Sequence, residues 1–117
     1  MWNKPTTEDL KKLPPLYSTE STPLKRKVIY MHFFIGGCDW FAAEYDQEQE
    51  LFFGFVILNN DYEMAEWGYF SLPELVSIKA SFMEVDRDLH FPETQAQNIP
   101  VICKAQRWQA KEVMTKQ

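Results

Sequence analysis

The sequence predicts an α+β protein: an antiparallel meander of about four to five strands with short helices packed on one face. Three observations carry that prediction. Nine Phe, five Tyr and four Trp occur among 117 residues, and large rings favour the pleated, half-buried surface of a sheet. Four β-branched and aromatic runs follow one another between residues 27 and 71 with only short polar or glycine-containing links, the pattern of hairpin-connected strands. At Ser71 the apolar period then changes from alternation to a helical stripe.

Thr6 or Thr7 followed by "EDLKKL" predicts a short helix, with a hydroxyl cap, acids in its first turn and lysines in its last. Pro14 and Pro15 stop it. "KVIYMHFFI" (27–35) reads as the first strand, "GGCD" (36–39) as its turn and "WFAAEYD" (40–46) as the returning strand. "QEQE" links to a third strand, "LFFGFVIL" (51–58), and "NNDYE" to a fourth, "MAEWGYFS" (64–71). Ser71-Leu72-Pro73-Glu74 has the capping-box form and opens an amphipathic helix over 72–80. "EVDRDLHF" (84–91) alternates as an edge strand or extended arm, and the C-terminal segment 100–117 reads as a helix. The chain is expected to be one domain, with its core over about 7–91.

Charge is segregated. Between residues 28 and 99, thirteen acids face only Lys79 and Arg87, a net −11, whereas residues 1–27 and 100–117 each carry +3. An acidic body argues against nucleic acid as the main partner, although the basic ends keep that alternative open. The plainer expectation is that the ends fold back over the body. No run approaches the roughly 18 apolar residues of a membrane span, and the N-terminus lacks the apolar core of a secretory signal. Two cysteines, Cys38 and Cys103, suggest reduced thiols in a cytoplasm. Whether they pair, and the oligomeric state, stay open.

No metal or cofactor is expected. Glycines are not in phosphate-binding arrangements, His32 and His90 lack ligand-spaced partners, and no nucleophile motif occurs. The residues that stand out as a candidate binding surface are His32, Trp40, Glu44, Asp46, Glu66 and Arg87. Alternation puts Trp40, Ala42, Glu44 and Asp46 on one face of the second strand, and Glu66 with Gly68 and Phe70 on one face of the fourth. If those faces coincide, Glu44 and Glu66 meet near Trp40 and His32, a pairing suited to acid–base work or to binding a flat ligand. The competing reading is a solvated acidic face of a half-covered sheet.

"LPPLYSTE" (13–20), "WFAAEYD" (40–46), "LFFGFVI" (51–57), "GYFSLPELVSI" (68–78) and "DRDLHF" (86–91) occur in that order. Together they resemble a family of short bacterial proteins known as a domain of unknown function, often carried on plasmids, phages and conjugative elements. The resemblance spans about Leu10 to Phe91, with the segment from Asn98 onward outside it. It implies no catalytic residues. Glu20, Glu44, Asp46, Glu74 and Arg87 match polar positions of its motifs, while Ala43 and His90 depart from them. The function expected is that of an accessory protein acting through a protein partner by its acidic surface. Nucleic-acid association through the basic ends, and a ligand-binding or hydrolytic Glu44/Glu66/His32 face, are the alternatives. "LPPLYSTESTPL" (13–24) is read as a strap over the sheet, with Leu13, Leu16 and Tyr17 buried.

Overall fold

Thr6 opens the first helix, α1 (Thr7–Leu10), through a reciprocal capping box. Its Oγ1 accepts from the Asp9 amide at 3.1 Å, and the Asp9 carboxylate accepts from the Thr6 amide at 2.9 Å. The computed structural model describes residues 1–108. After the strap come β1 (Val28–Ile29), β2 (Met31–Ile35), β3 (Cys38–Asp46), β4 (Leu51–Ile57) and β5 (Glu66–Ser71). Ser71 then caps α2 (Leu72–Ser77), its hydroxyl accepting from the Glu74 amide at 3.0 Å. The remainder is β6 (Lys79–Ala80), β7 (Met83–Glu84), β8 (Asp86–Arg87), β9 (Thr94–Gln95) and α3 (Pro100–Gln106).

The main sheet has five antiparallel strands in the order β5-β4-β3-β2-β8. The α+β meander is therefore as the sequence predicts, with differences in detail, the first being that the helix expected over 72–80 ends at Ser77 and leaves Lys79–Ala80 in β6. The 27–35 run divides at Tyr30, so that β1 pairs with β9 in a separate ribbon. The hairpin turn is confined to Gly36 and Gly37, because Gly36 takes the left-handed conformation (φ +53°) that a tight two-residue turn requires, and Cys38 and Asp39 belong to β3. Of the 84–91 arm only Asp86 and Arg87 pair with β2; beyond them the Asp88 carboxylate accepts from the His90 amide at 3.0 Å and turns the chain away. α3 ends at Arg107, which is left-handed (φ +58°), and the part of the predicted helix on 109–117 lies outside the described residues.

Both sheet faces are covered, where the sequence was expected to place the helices on one. Leu10 of α1 and Leu13 beyond it, with Leu72 and Leu75 of α2, join Phe33, Trp40, Phe52 and Phe70 in one core. Ile99, just before α3, and Ile102 within it join Phe41, Phe55 and Ile57 in the other. The reason is compositional: β3 and β4 are apolar at both parities, so each face needs cover. Each of these rings and branched chains contributes about 1.5–3 kcal/mol on burial.

A strapped pocket beside an open sheet edge

One irregularity decides where the polar residues go. Ala42 pairs with Gly54, but Glu44 pairs with Phe53, leaving Ala43 as the extra residue of a β-bulge. Past the bulge the parity of β3 is inverted, and Glu44 moves from the face of Trp40 to the face of Phe41 and Phe53. Glu66 pairs with Val56 and so faces the other way. The convergence of Glu44 and Glu66 that simple alternation predicts does not form. The remaining predicted residues are dispersed. Trp40 is buried in the first core. His32 stacks on Phe41 with ring centroids 4.5 Å apart and bonds Asp39 at 2.7 Å. Asp46 accepts from the Gln49 amide at 2.7 Å and closes a turn. Arg87, at the far edge of the sheet, donates to the Asn3 carbonyl at 3.0 Å and to Asp9 at 3.3 Å.

Glu44 itself is 3% exposed, and the strap is built on it. Its carboxylate accepts from the Tyr17 amide at 2.9 Å, from the Thr19 amide at 3.2 Å and from the Thr19 hydroxyl. Lys27, 6% exposed, donates to the Thr19 carbonyl at 2.5 Å and to its Oγ1 at 2.8 Å, with Nζ 4.0 Å from Glu44. A carboxylate in an apolar interior needs such a counter-charge and full set of donors. The strap reading of residues 13–24 thus has a physical basis, but Tyr17 departs from it. Tyr17 sits at φ +70° and is 57% exposed, so its ring stands over the sheet instead of beneath the strap.

That ring helps to enclose a cavity of about 370 Å³ lined by Tyr17, Glu20, Lys27, Glu44, Phe53 and Tyr69. Tyr17 and Tyr69 lie 6.3 Å apart by ring centroids, and Tyr69 lies 5.2 Å from Phe53. Partial burial raises the Tyr69 hydroxyl pKa, as do the neighbouring Tyr17 hydroxyl and the Glu44 and Glu20 carboxylates. Tyr69 also borders a second cavity of about 420 Å³, lined among others by Leu58, Asp61, Met64, Glu66 and Gly68. Between the two runs β5, whose outer edge pairs with no strand among the described residues.

Lys27, Thr19, Tyr17 and Tyr69 were not among the candidate binding residues read from the sequence, where Tyr17 figured only as a strap residue. Two signals bear on them: Glu44 sits in the apolar stretch "WFAAEYD", and Lys27, the last of the run Lys25-Arg26-Lys27, opens the apolar stretch "KVIYMHFFI". A charge in such a setting calls for a buried opposite charge. Among the described residues no group of His, Cys, Asp or Glu is placed to hold a metal ion, and Cys38 and Cys103 do not form a disulfide with each other. No helix among them is long and apolar enough to cross a membrane.

A family model described as "Protein of unknown function (DUF2958)" matches residues 17–108. The match opens on Tyr17 and runs through α3, so the C-terminal helix lies inside the family region, where the sequence motifs had placed it outside. No curated protein and no solved structure matches the chain.

Proposed function

Because the chain belongs to the DUF2958 family, which carries no assigned activity, we propose from its geometry that it is an interaction module that docks a basic, extended segment of a partner protein along β5. The observation that carries this reading is the outer edge of β5, which no strand among the described residues pairs. Proteins protect such edges with lysine, proline, bulges or cover, because unpaired backbone groups template another strand. β5, "EWGYFS", has no lysine or proline, and its register with β4 is regular over all six residues. Exposed apolar side chains flank it: Tyr69 at 52%, Leu58 at 50% and Met64 at 75%. Asp61 and Glu66 supply the negative charge beside them. Strand addition gives affinity through backbone hydrogen bonds, and the flanking acids favour a basic partner.

The motif resemblance supports a setting in the bacterial cytoplasm, with the protein carried on mobile elements. The test is an amide-resolved NMR titration with an acetylated, amidated hexapeptide alternating arginine and valine. Shifts concentrated on Glu66–Ser71, with slowed hydrogen exchange there, are the expected result. A peptide that leaves β5 unmoved, or an alternating glutamate–valine peptide that binds equally well, refutes the reading.

A further inference from the structure

The cavity between the strap and β5 has features that strand addition does not use. Tyr17 occupies a left-handed backbone conformation that a bulky residue rarely adopts. Its amide is fixed there by the buried Glu44. The result is an exposed aromatic ring held beside Tyr69, with Phe53 behind it. Strain of this kind, retained to expose a ring instead of burying it, marks a prepared surface. The charges are equally specific. Lys27 is bonded to Thr19 with its ammonium over the Phe53 ring, 5.9 Å from the centroid, and Glu44 offsets its charge within the floor, which leaves the tyrosine rings as the open faces. Glu20, on the exposed rim, makes no ion pair with any described residue and leaves the cavity net negative.

Aromatic faces beside an uncompensated carboxylate recognise a cation. A guanidinium fits this set better than an ammonium, since its plane stacks on a tyrosine ring while its fork of donors reaches a carboxylate. We propose that the pocket formed by Tyr17, Phe53, Tyr69 and Glu20 is a socket for an arginine side chain. This deepens the docking reading and rests on it for the source of the arginine: Tyr69 belongs to β5, so a strand laid along that edge delivers a side chain directly into the socket.

The probes are N-acetyl-arginine amide, its lysine counterpart and its neutral isostere N-acetyl-citrulline amide, followed by the ring resonances of Tyr17 and Tyr69. Arginine binds about fivefold more tightly than citrulline, and Glu20→Gln removes most of that difference. Glu20 is on the surface, so this variant keeps the fold. Equal binding of citrulline, or of lysine, overturns the assignment. The two readings separate cleanly. If the arginine–valine peptide moves the β5 amides while arginine amide leaves both rings unmoved, the socket fails and the docking edge stands. If arginine amide moves the rings and the peptide leaves β5 unmoved, the socket stands and the docking edge fails.

Discussion

Glu44 and Lys27 form a pair whose partners each depend on the other's charge, because both are almost wholly removed from water. Glu44→Gln leaves an uncompensated ammonium in the interior and is expected to cost about 3 kcal/mol, read from urea unfolding. Lys27→Met alone strands the carboxylate on its amide and hydroxyl donors, and the double variant costs clearly less than the two single losses added together. Additive losses show the pair to be uncoupled. Gly54 is a second sensitive position. A Cβ there would stand 1.8 Å from the Phe41 carbonyl oxygen, a backbone atom that the bulge holds against β4. Gly54→Ala is therefore expected to cost more than about 3 kcal/mol. Its cross-strand partner Gly68 has open space at the same position, and Gly68→Ala changes stability by no more than about 0.5 kcal/mol. Similar losses for both remove the close-approach explanation. At this scale the sequence shows that Glu44 is out of place among apolar neighbours, but not which face it takes. Parity fixes a face only while the register is unbroken, and Ala43 carries no mark of the bulge.

The elements that depend on local chemistry were legible; those set by tertiary pairing were not. Ser71 and Glu74 announce α2, and Thr6 with Asp9 forms the cap of α1, because capping needs only a short stretch of sequence. The split of the first strand was invisible, since β1 departs only to pair with β9, more than sixty residues away. Apolar parity on both sides of β3 and β4 was readable as a call for two-sided cover, yet the helix that provides the second cover is short and proline-initiated. The cap of α1 also carries a pH-dependent contribution. The Thr6 amide holds the Asp9 pKa below its ordinary value of 3.8, with the Thr6 hydroxyl and the Arg87 guanidinium adding to the effect against a smaller opposing effect of burial. A depressed carboxylate pKa stabilises the fold above the unfolded value, and that contribution is lost as pH falls through the folded value. Asp9→Asn is expected to be less stable than the parent at pH 6, with the gap closing below about pH 4. Thr6→Ala should cost about 1 kcal/mol at neutral pH. A gap between parent and Asp9→Asn that widens on acidification contradicts the assignment.

For the molecule as a whole, the proposed docking divides its work between charge and shape. Among the described residues, Arg107 approaches Glu63 at 4.0 Å, Lys104 lies over Tyr62 at 5.0 Å and Lys27 is consumed beneath the strap. An exposed contact such as Arg107–Glu63 is screened and weak, and the field at long range is that of the whole chain, a net −5 with the acids concentrated in residues 28–99. In the proposed docking that field acts on approach, whereas backbone pairing along β5 and the fit over Gly68 act on residence. The association rate of the arginine–valine peptide is therefore expected to fall by about tenfold as ionic strength rises from about 0.01 to 1 M. Glu66→Gln with Glu20→Gln flattens that dependence. Gly68→Val places a branched side chain in the open groove and speeds dissociation, while the salt dependence of association keeps its slope. Stopped-flow measurements on the three proteins separate these effects. A salt-independent association rate, or a Gly68→Val variant altered in association alone, means that the acidic body does not steer the partner to β5.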